Sequence, residues 1–213
     1  MINSQKYRNI EKKKFQPIFI CGHRKSGTTL LLNLLDDNGY ISVYPKDLNL
    51  LYGYFPLFEN SKISFKSKIN RIKKVVFNDL RKDKFLKKKI DIDFFEKEFF
   101  KHIKKDNISI NNIIYNLLKV YVLNFSKNNN KNKVLSKETS IEIYATEIKK
   151  WFKKAKFIHL IRDPRDNYAS LKSGIKNYYS KFNDDENSLL FSLIQRSFLG
   201  LKISKINQSI IGP

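Results

Sequence analysis

The feature that most constrains the fold is an apolar run followed by a glycine-bounded loop and a leucine-rich segment, at 18–35. The apolar run predicts a strand, and the leucines predict a helix. Gly22 and Gly27 have the spacing of the loop G-x-x-x-x-G-K-[ST], but Thr28 stands in place of its lysine. The lysine of this chain, Lys25, lies between the two glycines. A loop that opens a helix presents backbone N–H groups at the positive helix end, so we predict an anion-binding loop.

The rest of the chain alternates short apolar runs with helical patterns and contains no internal repeat. We predict strands at 17–21, 41–43, 133–136 and 157–161, and helices at 28–38, within 62–105, at 111–125, at 140–153, from 163 onwards and at 185–206. We expect the strand at 157–161 to be buried, Ser140 to cap the helix at 140–153, and the helix at 185–206 to be amphipathic. This alternation predicts an α/β fold, a three-layer arrangement with a parallel sheet between helices.

The length of the chain limits the number of domains, and its charge is concentrated in one segment. With 213 residues, we expect one domain at 17–213, preceded by a flexible basic lead-in at 1–16 and interrupted by a helical insertion at 62–126. The net charge is +22, and 62–105 holds 16 Lys and Arg against 6 Asp and Glu. Two interpretations of this basic segment stay open: a surface for an anionic acceptor, or a solvated helical face enriched in lysine by compositional bias.

Several partners and locations are disfavoured by the sequence. No helix-turn-helix, zinc-finger or aromatic RNA-binding motif accompanies the charge, so we expect no specific nucleic-acid partner. No apolar window suits a signal peptide or a transmembrane helix. The single cysteine, Cys21, fits a reducing compartment and a buried apolar position. We therefore predict a cytoplasmic location.

A second polar element follows the strand predicted at 157–161. Arg162 ends that strand, on the sheet edge where parallel α/β folds bind ligands. Asp163 is expected to cap the next helix, with proline in its first position. Ser170 lies eight residues after Arg162, so a guanidinium and a hydroxyl are available to hold a phosphate. The alternative for Arg162 is a structural salt bridge with Asp166. The alternative for the first loop is a glycine-rich turn without a ligand.

Together, the segments Arg-Lys-Ser-Gly-Thr-Thr at 24–29 and Arg-Asp-Pro-Arg-Asp-Asn-Tyr-Ala-Ser at 162–170 resemble the two nucleotide-binding motifs of PAPS-dependent sulfotransferases. In that family the motifs read P-[KR]-S-G-T-T and R-[DN]-P-[RK]-D-x-x-x-S. The likeness extends over about 17–175 and is greatest to the bacterial branch acting on carbohydrates and on protein tyrosine. It implies a P-loop NTPase-like sulfotransferase fold, with PAPS as co-substrate and a hydroxyl acceptor, expected to be a carbohydrate or another anionic glycan.

The resemblance also implies roles for individual residues. The 5′-phosphosulfate end of PAPS would be held by the first motif, at Arg24, Lys25, Ser26, Gly27, Thr28 and Thr29. Arg162 and Ser170 would hold the 3′-phosphate. Lys25 matches the catalytic position, where it would offset the charge on the oxygen that leaves with the phosphate. We expect no metal, because no cluster of His, Cys and Asp has ligand spacing.

A general base is required to deprotonate the acceptor hydroxyl. Asp47 is the first choice, since related branches place an acidic residue after the first helix and its loop. Glu138 is the second, in the loop after the third strand. His23 is the least favoured of the three. The alternative for Asp47 is a loop aspartate that caps a helix beginning at Leu48.

Two departures from the family pattern and two other functions complete the hypothesis. Arg24 replaces the proline before the loop lysine. Relatives typically continue beyond the helix at 185–206 with a further strand and a basic stretch, so we expect a C-terminally truncated chain. The alternatives to a sulfotransferase are a small-molecule kinase or NTPase with a degenerate loop, and a non-catalytic basic module that binds polyanions.

Overall fold

The computed structural model describes most of the chain. The described residues are 14–36, 38–51, 58, 60–127, 132–174 and 186–212. All but the end of the predicted lead-in at 1–16 therefore lies outside the described residues.

Among the described residues, four strands form one sheet in the order β2-β3-β1-β4. The strands are β1 Gln16–Gly22, β2 Ser42–Asp47, β3 Lys133–Lys137 and β4 Lys156–Leu160. Every pair in this sheet is parallel, and Ile18 of β1 lies opposite Leu135 on one side and Lys156 on the other. The predicted parallel α/β sheet is confirmed, and all carboxyl ends of the strands lie along one edge.

Helices connect the strands and cover the sheet. Within the described ranges, the α-helices are α1 Thr28–Leu34, α2 Phe65–Ile72, α3 Asn78–Lys82, α4 Leu86–Lys89, α5 Ile92–Lys101, α6 Ile110–Phe125, α7 Ala145–Trp151, α8 Pro164–Gly174 and α9 Glu186–Ile211. A π-helical turn at Lys73–Phe77 joins α2 to α3, and a 3-10 turn at Ile141–Tyr144 precedes α7.

The alternation of side chains along β1 explains the layers. Ile20 points into an apolar cluster with Leu32 of α1 and Leu135 of β3. Phe19 and Cys21, on the opposite face, belong to a larger cluster that includes residues of α5, α6 and α7. Because successive strand residues face opposite sides, one short strand holds both helical layers against the sheet.

The helical segment between β2 and β3 has an aromatic core of its own. Phe77 lies between the rings of Phe95 and Phe99, at centroid distances of 5.4 and 5.5 Å. Phe95 also contacts Phe125 at the end of α6, 5.5 Å away. The predicted helices at 62–105 and 111–125 are confirmed, and their apolar faces are packed rather than exposed.

Several local predictions are wrong for physical reasons. Ser140 does not cap a helix: its φ is +62°, its side chain makes no cap hydrogen bond, and a 3-10 turn follows. The second strand is longer than 41–43, because β2 pairs with β3 as far as Asp47. The described residues 48–51 form no helix, so the capping alternative for Asp47 also fails.

The other two corrections concern the side of the sheet formed by β4. This strand is half-buried rather than buried, since among the described strands only β1 pairs with it. Helix α9 is not amphipathic. It packs Leu193 inside but exposes Phe191, Ile194 and Phe198.

Candidate functional site

The loop between β1 and α1 has the backbone of a tight turn that approaches β4 closely. Gly22 has φ +136°, and a Cβ there would lie 2.4 Å from the carbonyl oxygen of Leu160, so only glycine fits. Lys25 adopts a left-handed conformation with φ +65°, which is uncommon for a residue with a side chain. Its side chain is exposed. The loop therefore presents Lys25 to solvent on a constrained backbone.

Hydrogen bonding within this loop modifies the expected set of ligand donors. The amide of Ser26 donates to the carbonyl oxygen of His23, 3.1 Å away, so this N–H closes the turn. Gly27 then turns the chain into α1 with φ +101°. The amides of Thr28 and Thr29 fall in the first turn of α1, where helix geometry provides no acceptor.

The side chains of the first motif have different exposures. Thr28 is buried, Arg24 and Ser26 are half-buried, and Thr29 is exposed. The Oγ of Ser26 is itself buried and has no hydrogen-bond partner among the described residues. The motif thus combines an exposed lysine with a buried hydroxyl.

Arg162 joins the second sequence motif to this loop. Its Nη1 donates to the carbonyl oxygen of Lys25 over 3.0 Å, although the two residues are 137 positions apart. The alternative salt bridge between Arg162 and Asp166 is absent between these two described side chains. The structure therefore brings Lys25 and Arg162 together, while Ser170 lies half-buried in the second turn of α8.

The start of α8 confirms the predicted cap. The Asp163 carboxylate accepts from the amide of Arg165 at 2.8 Å and from its guanidinium at 2.7 Å. These hydrogen bonds from Arg165 lower the pKa of Asp163 to about 2. Asp163 and Arg165 thus satisfy each other, and Arg162 points elsewhere.

A small cavity beside the loop contains polar atoms that the sequence analysis missed. Asn167 is 2% exposed, and its Oδ1 has no partner among the described residues. Together with Ser26, His23 and Arg162, it lines a space of about 80 Å³. Asn167 lies one turn before Ser170 on α8, and only the packing of α8 against the loop distinguishes it from an exposed asparagine.

His23 lies in the same wall. Its Nδ1 is 2.9 Å from the carbonyl oxygen of Arg24, an acceptor, so the neutral ring carries its proton on Nδ1. Burial lowers the pKa of His23, and the charges of Arg24 and Arg196 lower it further, against the hydrogen bond to Arg24 that raises it. A neutral imidazole therefore borders the loop at pH 7.

The two carboxylates considered as bases lie at neighbouring strand ends. Asp47 ends β2 and accepts from Nζ of Lys137 at 2.5 Å, with a third of its side chain exposed. Glu138 follows β3, is 3% exposed, and accepts from the amides of Leu50 and Leu51 at 3.3 and 2.9 Å. Glu138 thus anchors the segment after β2, whereas Asp47 is accessible and held by a buried lysine.

Two further properties concern the described part of the chain only. No group of three or more His, Cys, Asp or Glu side chains is arranged there to hold a metal ion. No helix there has the length and apolarity required to cross a membrane.

The geometry agrees with the comparison to known families. A family model described as "Sulfotransferase family" matches residues 17–195, which is most of the chain. No curated protein and no solved structure gives a match. The matched range begins at β1 and contains both motifs and the four strands of the sheet. The chain belongs to the sulfotransferase family.

Proposed function

We propose that this sulfotransferase moves a sulfuryl group from PAPS to a hydroxyl of a carbohydrate acceptor, by in-line displacement without a metal. The observation that supports this donor is the hydrogen bond from Arg162 to the carbonyl of Lys25. It joins two cationic motifs at the carboxyl edge of a parallel sheet, where such folds bind ligands. PAPS carries phosphate groups at two ends, so its binding requires one cationic motif for each end.

The residues of the first motif would hold the phosphosulfate end. Ser26 has a buried hydroxyl without a partner among the described residues, and Thr28 and Thr29 begin α1, so donors for anionic oxygens are present. When bound, PAPS supplies a sulfuryl group on a phosphate leaving group. Lys25 would stabilise the negative charge that develops on the bridging oxygen, an effect typically of about 3 kcal/mol.

Arg162 and Ser170 would hold the 3′-phosphate, with Arg24 adding charge beside the loop. The guanidinium of Arg162 uses one N–H for the Lys25 carbonyl, and a guanidinium has five N–H donors. Arg162 is exposed and makes no salt bridge with a described carboxylate. It therefore retains donors for a phosphate.

Asp47 is the base that we propose. Its carboxylate is one-third exposed, and a hydrogen bond from Nζ of Lys137 holds it at the end of β2. Glu138 stays the second choice, because both backbone amides that it binds compete with an acceptor hydroxyl.

The acceptor side would be the helical insertion at 62–126 within a single domain at 17–213. Its exposed lysines on α4, Lys87, Lys88 and Lys89, suit an anionic glycan. The single cysteine of the chain suits a reducing compartment, so we extend the proposal to a cytoplasmic enzyme.

The test is a calorimetric titration with 3′-phosphoadenosine 5′-phosphate, with and without Mg²⁺, against ATP with Mg²⁺. We expect metal-independent binding of the first nucleotide. Arg162→Ala should weaken it about tenfold or more, because a charge-assisted hydrogen bond contributes about 1.5–3 kcal/mol. Arg165→Ala is the matched control, since that guanidinium binds Asp163.

Other outcomes favour the alternatives. A preference for ATP with Mg²⁺ would support a kinase or NTPase. Absence of nucleotide binding, together with salt-sensitive polyanion binding that Lys25→Ala leaves unchanged, would support a non-catalytic basic module.

A further inference from the structure

A second cavity lies on the face of the sheet, away from the loop. It has a volume of about 520 Å³ and is enclosed between β1, β4, the turn before α7 and helix α9. Phe157, Ala145 and Ile211 give it apolar walls. This volume falls in the range of small-molecule sites in proteins, about 300–1,000 Å³.

The cavity contains a buried carboxylate, Glu142, one oxygen of which has no hydrogen-bond partner among the described residues. Glu142 is 5% exposed, and this oxygen is Oε2. Asn207 donates to the backbone carbonyl of Glu142 and not to the carboxylate. A buried carboxylate oxygen without a partner is costly, and a cation that hydrogen-bonds to it offsets that cost.

The neighbours of Glu142 do not supply this cation. A Cβ at Gly200 would lie 3.5 Å from Oε1 of Glu142 and 3.7 Å from Nε2 of His159, so both groups reach the same point beneath α9. His159 is bound through Nδ1 to the hydroxyl of Ser204, and burial lowers its pKa more than the charge of Glu142 raises it. The thiol of Cys21 stays protonated, since burial and the adjacent Glu142 raise its pKa.

The three lysines that line the cavity do not pair with Glu142 either. Lys149 donates to the carbonyl oxygen of Ala155 at 2.9 Å. Lys154 and Lys156 line the cavity with exposed side chains, so water and salt screen their charges. The deep end of the cavity therefore presents the carboxyl group of Glu142, and its walls are largely apolar.

We infer that this cavity binds a small organic amine, whose ammonium group pairs with Glu142 and whose apolar body packs against Phe157. The inference goes beyond the proposed sulfuryl transfer and does not depend on it, because neither Lys25 nor Arg162 lines the cavity.

The test uses benzylammonium as the probe, titrated into the full chain by calorimetry. Benzyl alcohol and benzoate, which share the ring but lack the positive charge, should bind at least tenfold more weakly. Glu142→Gln should weaken benzylammonium about tenfold or more, since the variant loses a charge-assisted hydrogen bond. Glu147→Gln removes the same charge from α7 outside the cavity lining and should leave the affinity unchanged.

A second measurement needs no variant. Cys21 is the only cysteine of the chain and lines the cavity with a buried, protonated thiol, so methyl methanethiosulfonate reaches it only when the structure opens. Benzylammonium at ten times its Kd should therefore slow this modification about tenfold. The inference is wrong if benzylammonium does not bind, if benzoate binds equally well, or if Glu147→Gln weakens binding as much as Glu142→Gln. An unchanged rate of Cys21 modification at saturation would also overturn it.

Discussion

At the carboxyl edge of the sheet, Arg162 hydrogen-bonds to a backbone carbonyl and is otherwise exposed, whereas Arg81 in the helical segment binds two carboxylates. Asp93 and Glu96 each lie 2.6 Å from Nη2 of Arg81, and they raise the pKa of its guanidinium. The two arginines come from the same basic composition. We expect a cation that is neutralised within its own segment to have a structural role. A cation whose contact among the described residues is a neutral carbonyl is expected to stay available for an anionic ligand.

The two regions also differ in what fixes their structure. The helical segment is held by buried rings, among them Phe77, Phe95 and Phe99. The loop is held by a glycine that touches β4 and by one hydrogen bond from Arg162. We therefore expect substitutions in the helical segment to change stability, and substitutions in the loop to change activity.

The largest effect is expected for Phe95→Ala. The ring is fully buried, and Phe77 and Phe125 lie 5.4 and 5.5 Å from it. Removing it leaves a cavity, so the free energy of unfolding should fall by about 4 kcal/mol in a urea titration. Phe85→Ala is the matched control: that ring is 80% exposed, and its removal should change stability by less than about 0.5 kcal/mol. Equal losses would mean that this segment has no packed core.

Next in size is Lys25→Ala, measured as sulfuryl transfer. Its side chain is exposed, so the free energy of unfolding should not change. If the lysine stabilises the departing phosphate oxygen, kcat should fall about 100-fold, which corresponds to roughly 3 kcal/mol. Lys150→Ala removes an exposed lysine from α7, and we expect kcat to stay within about twofold. A comparable fall in kcat for both variants would show that net charge, and not the loop position, determines the rate.

A smaller loss is expected for Glu138→Gln, which separates anchoring from catalysis. The buried carboxylate accepts from the amides of Leu50 and Leu51, and the side-chain NH₂ of glutamine cannot accept a hydrogen bond. Losing one of these bonds should cost about 1–3 kcal/mol of unfolding free energy. Glu147→Gln, at a half-buried site, is the control and should be close to neutral. Unchanged stability combined with a large loss of kcat would instead make Glu138 the base.

The sequence predicted the parts of this fold that depend on local patterns. The strand and loop before Thr28, the helix Ile110–Phe125 and the start of α8 at Pro164 each follow from periodicity or from capping residues. The length of β2 depends on pairing with β3, and the exposed apolar face of α9 depends on what packs against it. Neither is encoded within a short window.

In the candidate site, too, local patterns predicted some features, whereas others depend on contacts between separate elements. Strand ends placed Lys25 and Arg162 on one edge, and the structure brings them together. The contact between Asp47 and Lys137, however, joins the ends of two strands that are 90 residues apart in the chain. The burial of Asn167 likewise requires that α8 pack against the loop. These partners could not be identified from the sequence because they belong to separate elements.

The smallest effects are expected from the protonation of two histidines, one in the helical segment and one in the sheet, as the pH is lowered. Burial is the first cause that lowers the pKa of both His102, after α5, and His159, in β4, below the usual 6.5. As the pH falls, these two histidines therefore take up protons in the unfolded chain at a higher pH than in the folded chain. The stability that the two neutral histidines contribute above pH 6.5 is lost as the pH falls below it. Proton NMR titration of the imidazoles should give both midpoints below 6.5.

Added salt should shift the titration midpoints of the two histidines differently, because their charged neighbours differ. Lys119 also lowers the pKa of His102, so added salt should screen that repulsion and raise its midpoint. His159 faces the opposite influence, since Glu142 raises its pKa, and its midpoint should not rise with salt. His102→Gln and His159→Gln assign the two resonances. A midpoint of His159 that rises with salt as much as that of His102 would show that cations, and not Glu142, dominate the charge around β4.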